Sequence, residues 1–262
     1  MALSTTRSRL TALAAVTLLG AGACSAIEME AADPRTASPA ASSSTAPGRS
    51  PSPGPATPPA LTEAQARAAL LAWSDLGEPW APTQGAATWR DAFLKARAAE
   101  GTAPDCQRLL DLLYAEELLG APAKAVVGLD DTYNEAQLRY QISAQRPADV
   151  DRTLAWLRTL PEVCGSFTAT MVSGTVEQVE VADAPLPEAG DVRQGLRVTA
   201  TIEWEGEPVT LTVDVAAVRV GEDAFTLTNG GLGDVYSEVT AAATELGARR
   251  LAEVRRQGRV QV

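Results

Sequence analysis

Eight of the chain's seventeen prolines (Pro34, Pro39, Pro47, Pro51, Pro53, Pro55, Pro58 and Pro59) fall between residues 32 and 60, interleaved with Ser, Thr, Ala and Gly. No other feature limits the possible fold as much. Proline fixes φ and removes a backbone donor, and so little apolar surface cannot offset the entropy of ordering. Residues 24–60 therefore read as a disordered linker. At ~3.1 Å per residue in polyproline geometry the proline-rich stretch 32–60 could reach as far as roughly 85 Å. What remains to fold is 61–258, a size suited to one domain with one core, followed by a short tail at 259–262.

The first 23 residues read as an address. Arg7 and Arg9 precede an apolar run over 10–19 and the small-residue stretch Gly20-Ala21-Gly22-Ala23, the pattern of a secretory signal peptide. Cys24 follows at once. This arrangement resembles the bacterial lipobox, in which the cysteine thiol is diacylated and becomes the new N-terminus. Ala21 departs from it, since a larger aliphatic residue is usual there. The other reading is an ordinary secreted protein with a stray cysteine. The apolar run is too short to span a bilayer, which takes ~20 residues, whereas two acyl chains hold stably. The expectation is a protein on the extracellular face of the cell membrane, with the membrane as partner through a lipid anchor at Cys24.

Loss of a leader with two arginines and no acid takes the formal charge from −11 to −13. Such a surface repels nucleic acid and anionic lipid, so no nucleic-acid partner is expected. With Cys24 lipidated, Cys106 and Cys164 remain as an even pair in an oxidising compartment. A disulfide between them closes a loop of roughly 59 residues, worth about 4 kcal/mol in the chain-entropy model; two buried free thiols are the alternative. Histidine is absent. That removes Ser-His-Asp and Cys-His hydrolysis, His-ligated zinc and HExxH chemistry, and no metal or cofactor is expected.

The periodicities predict an α+β domain. A helix opens at Leu61-Thr62-Glu63-Ala64-Gln65 with capping-box spacing between Thr62 and Gln65, and Ala69, Leu70 and Trp73 carry its apolar face until Gly77 and Pro79. A second begins at Asp105 and carries leucines as far as Leu118 and Leu119. A third spans 147–160, stopped by Pro161. Strands are expected over 124–129, 137–145, 167–172, 176–182, 196–204, 209–220 and 224–228. Strict alternation predicts that 196–204 and 209–220 form a long hairpin. A last helix runs over 235–256.

Three segments carry a resemblance: the run from Ala68 through Trp73-Ser74-Asp75-Leu76-Gly77-Glu78-Pro79-Trp80, Cys106 opening a Leu-rich helix, and Leu160-Pro161-Glu162-Val163-Cys164 followed by Phe167-Thr168. Together these resemble actinobacterial sensor-domain lipoproteins, relatives of the extracellular sensor domain of PknH-type membrane kinases. The resemblance implies a twisted antiparallel β-sheet packed by helices, with a cleft for an unknown small ligand. Those kinase domains have two disulfides, whereas this chain can form one.

Trp73 and Trp80 bracket a turn and are the ligand-cleft candidates, rigid apolar faces with one donor each; packing of the first helix on the sheet is the plainer account. Trp89 and Phe93, four apart, read as packing neighbours. Asn229-Gly230-Gly231-Leu232-Gly233-Asp234 lacks any phosphate-loop pattern and reads as a turn from the last strand into the last helix. Asp130-Asp131 does not match a calcium loop, and Glu203, Glu205 and Glu207 decorate a hairpin tip. Arg249, Arg250, Arg255, Arg256 and Arg259 favour a helix C-terminus. No catalytic constellation is found. The expected function is non-catalytic: a sensor-like domain binding a small molecule or envelope component. The alternatives are a protein-interaction or envelope-assembly module and, third, an envelope hydrolase.

Overall fold

The computed structural model describes residues 60–143 and 145–260. The expected signal peptide, Cys24 and the linker lie outside the described residues, as does the side chain of Arg259. Nine strands are β1 (Trp80–Pro82), β2 (Ala96–Ala98), β3 (Ala125–Asp131), β4 (Gln137–Ser143), β5 (Ser166–Met171), β6 (Val176–Asp183), β7 (Val192–Trp204), β8 (Glu207–Val220) and β9 (Asp223–Leu232). They form one sheet in the order β1-β3-β4-β9-β8-β7-β6-β5-β2, with every pairing antiparallel. The helices are α1 (Glu63–Ala68), α2 (Trp73–Leu76), α3 (Pro104–Ala115), α4 (Pro147–Val163) and α5 (Ser237–Val260), with a π-helical turn at Arg90–Leu94. The domain is α+β, as its sequence predicts.

The expected hairpin is β7–β8, paired from Val192↔Arg219 to Trp204↔Glu207. Glu205 at φ 53° and Gly206 at φ 85° make the two-residue turn whose twist suits a hairpin. Strand side chains alternate between faces, and in β8 both sets are buried. Leu211, Val213 and Val215 join β6 and β7 against Leu109 and Leu110 of α3 and Leu154 and Leu157 of α4. Ala216 and Val218 instead join Leu138, Tyr140 and Phe225 against Leu251 and Val254 of α5, with Leu61 and Ala66. The two helical layers thus cover opposite faces of opposite halves, overlapping at β8.

Cys106 and Cys164 form a disulfide with Cα atoms 5.4 Å apart, tying the first turn of α3 to the end of α4. Beside it Trp156 Nε1 donates to Asp105 at 2.9 Å, and the Arg108 guanidinium lies 4.1 Å from the Trp156 ring.

Among the boundaries that depart from expectation, four have an identifiable local cause. The first helix is broken into α1 and α2 because the Leu70 carbonyl accepts from Arg250 of α5 at 2.6 Å, while Ala72 N–H donates to Asp75 at 2.6 Å and starts a new turn. The capping box of α1 does form. Helix α3 starts at Pro104, with Asp105 in its first turn, and ends at Ala115, since Glu116 turns left-handed at φ 58°. Leu118 and Leu119 are buried beyond the helix. Helix α4 runs through Pro161 to Val163. Only one helical bond is lost to proline there, and the last turn closes through Cys164 N–H to the Leu160 carbonyl at 2.7 Å. Finally, Asn229, Gly230 and Gly231 belong to β9, which continues to Leu232 instead of turning at Thr228.

Candidate functional site

A cavity of about 550 Å³ lies where the 84–89 segment, the β3–β4 turn and the end of β9 converge. Local chemistry fixes each wall. Asp130 accepts from Thr83 Oγ1 at 2.7 Å, from Gln84 N–H at 3.1 Å and from Gln137 Nε2 at 2.9 Å. Gln137 Nε2 also reaches the Gly85 carbonyl at 2.9 Å, and its Oε1 receives Ala87 N–H at 3.4 Å. A loop tied at this many points is held in shape before anything binds. Asp131, 4 % exposed, accepts from Tyr133 N–H at 2.8 Å and Asn134 N–H at 3.1 Å. It fixes the β3–β4 turn, the kind of local side-chain bond aspartate favours.

Trp89 forms part of the wall and is 7 % exposed. Its indole Nε1–H is buried and has no acceptor among the described residues, an arrangement folded proteins generally avoid. The ring occupies its place because Gly230 has no side chain: a Cβ there would stand 2.8 Å from Trp89 Cη2. The glycine cluster therefore admits the tryptophan. On the other flank Arg90 donates to the carbonyls of Leu113 and Tyr114 at 3.0 and 2.9 Å and pairs with Glu116 at 3.2 Å. Glu116 also binds Arg139 at 2.6 Å.

Trp73 is 49 % exposed on α2, and Trp80 is 6 % exposed in the core that includes Tyr140 and Phe225. Neither lines the cavities described here. Trp89 and Phe93 share the α3–α4 core, as their spacing implied. The Trp89 role was hidden because its partners, Gly230 and the β3–β4 turn, are distant in sequence; Asp130-Asp131 next to a strand was the one local signal.

Other grooves have fewer fixed groups. Residues 183–186 separate grooves of about 570 and 340 Å³. The second contains Arg197, whose two bonds to Asp214, 2.7 and 2.9 Å, satisfy that carboxylate. The basic run on α5 is largely paired: Arg250 with Asp75, Arg249 with Glu245, Arg256 with Glu253 and Arg255 with Asp223. Glu203, Glu205 and Glu207 are exposed at the hairpin tip.

No family model and no curated protein matches the chain. Among solved structures it is similar to the extracellular domain of PknH from Mycobacterium tuberculosis, at 15 % identity and a TM-score of 0.44, covering 76 % of this chain and 98 % of that one. A likeness this loose fixes neither activity nor ligand.

Proposed function

We propose that this chain is a non-catalytic, sensor-like ligand-binding module, held on the extracellular face of the membrane through a lipidated Cys24 and a long linker. One observation carries the reading: a cavity of about 550 Å³, inside the ~300–1,000 Å³ range of small-molecule sites. Its loop is pinned by Asp130 and Gln137, and the Trp89 side chain forms part of its wall. The absence of histidine supports a role in binding over hydrolysis. So does the lining: Asp130 and Asp131 are engaged in structural hydrogen bonds, which leaves them poorly suited to proton transfer. No helix among the described residues is long and apolar enough to cross a membrane.

The test is native mass spectrometry of the mature chain secreted with Cys24→Ser. A reproducible added mass that disappears in Trp89→Phe supports the reading. A bare mass from a folded, oxidised chain argues against a retained ligand. A second reading, a protein-interaction module, draws on Val172, Val176 and Trp204, which are 72 %, 60 % and 59 % exposed. They lie at the adjoining tips of the β5–β6 and β7–β8 hairpins.

A further inference from the structure

We infer that the tip of the β7–β8 hairpin docks a basic protein segment, one that brings arginine or lysine together with an apolar side chain. The inference rests on the protein-interaction reading above and gives it a partner chemistry.

The tip stands clear of the rest of the sheet. Pairing of β6 with β7 stops at Gln178↔Thr201, and pairing of β9 with β8 stops at Leu211↔Leu232. Strands β7 and β8 stay paired with each other beyond both points, as far as Trp204↔Glu207. At the base of the tip the Thr201 and Thr210 hydroxyls bridge the two strands at 2.8 Å. Residues two apart on a strand share a face. Ala200 and Ile202 are buried in the α3–α4 core, and Val209 packs against it. Trp204 continues that face outward and is 59 % exposed; Leu232, beside Leu211 on the same face, is 46 % exposed. The apolar face of the core therefore runs on into solvent. Exposed apolar surface rimmed by polar groups marks interaction sites, and tryptophan is enriched among the side chains that anchor them. Val176 faces the other side, since Glu177 and Val179 are the buried positions of β6, so Trp204 is the anchor of this strip.

Charge names the partner. Glu207 is paired directly opposite Trp204, Glu203 and Glu205 flank it, and all three glutamates are exposed. None of them forms an ion pair among the described residues. Between residues 203 and 248 the chain has one basic residue, Arg219, and its pairing with Val192 puts it at the far end of the hairpin. An acidic segment or an anionic lipid surface is repelled here. A guanidinium over the indole face gains from the ring and from the carboxylate beside it, while an apolar side chain next to it covers the strip toward Leu232.

The test uses the full mature chain with Cys24→Ser and fluorescein-labelled peptides of one scaffold, Gly-X-Leu-X-Phe-X-Leu-Gly, in which X is Arg, Gln or Glu. Binding is read by anisotropy. At low salt the Arg peptide should bind about ten-fold tighter than the Gln peptide, with the Glu peptide weakest and the preference shrinking as salt rises. Trp204→Ala should weaken the Arg peptide about five-fold. Glu203→Gln, Glu205→Gln and Glu207→Gln together should abolish the preference for Arg over Gln. The same charge change at three other exposed positions, Glu100→Gln, Glu162→Gln and Glu180→Gln, should leave most of it. A preference lost equally in both triple variants overturns the inference, because it then reflects net charge and not the tip. Equal binding of the Arg and Gln peptides that depends on Trp204 overturns this partner chemistry alone and leaves the interaction reading standing. Binding of no peptide at millimolar concentration removes both. Trp204-dependent sedimentation of the chain with phosphatidylcholine vesicles overturns the inference in favour of a lipid surface.

Discussion

The two halves of the sheet are closed by different means. Over β5 to β8, helices α3 and α4 bring leucine- and valine-rich faces onto a core that also holds Phe93 and Phe167, and a disulfide joins the helices to each other. Over β3, β4 and β9, on the opposite face, α5 packs on aromatic Tyr140 and Phe225, with ring centroids 5.1 Å apart. That half is tied by ion pairs, Arg250 to Asp75 and Arg255 to Asp223. A staple constrains the unfolded chain over a separation of 58 residues, whereas ion pairs act within the native state and weaken with salt. The candidate site lies where the two halves meet: hydrogen-bonded turns beside β3, β4 and β9 set its loop, and Trp89 enters its wall from the stapled core.

Removing the staple tests the contrast most severely. Cys106→Ser with Cys164→Ser should lower stability by about 4 kcal/mol, read by denaturant titration. Hydrogen exchange should rise first in α3 and α4 while α5 keeps its protection. Equal loss in both halves would mean that the sheet, through β8, couples them into one unit.

The stapled half also contains a destabilising group. Glu177 is 0 % exposed in β6, and neither carboxylate oxygen has a partner. Burial pushes its carboxyl up to about 7 from an ordinary 4.5. Below the unfolded value both states are protonated and the native state is at its best. As pH rises from 4.5 to 7 the unfolded chain releases the proton first, so stability falls by about 3 kcal/mol and then levels off. Glu177→Gln should flatten that slope and raise stability at pH 8. An unchanged pH profile in the variant would remove Glu177 as its source.

The hairpin β7–β8 was legible because Val198, Ala200 and Ile202 face Val213, Leu211 and Val209 in one alternating pattern, and period two survives any context. The disulfide was legible from cysteine parity. Strands β1 and β2, three residues each, are too short to show a period. The breaks at Leu70 and Glu116 come from Arg250, Arg90 and Arg139, side chains far along the chain, so no local propensity announces them. The site suffered most. Trp89 read as a packing residue and Gly230 as a turn, and only their meeting across the sheet gives either its role.

The smallest effect tests the unstapled half directly. Gly247 lies within α5, and a Cβ there would come within 2.7 Å of Tyr140 Cε2 and 2.8 Å of its hydroxyl oxygen. Tyr140 is fully buried against Phe225 and has little room to yield. Overpacking of this kind costs typically ~1–3 kcal/mol, and replacing glycine by alanine in a helix returns up to ~1. Gly247→Ala should therefore lower stability by about 1–2 kcal/mol, with exchange rising in α5 and not in α3 or α4. The Tyr140 hydroxyl is buried without a partner, so Tyr140→Phe removes one clashing atom and breaks no protein hydrogen bond. In that background part of the Gly247→Ala loss should be recovered. If the two substitutions simply add, the helix has shifted as a body, and α5 is held by its ion pairs more than by its contact with the ring.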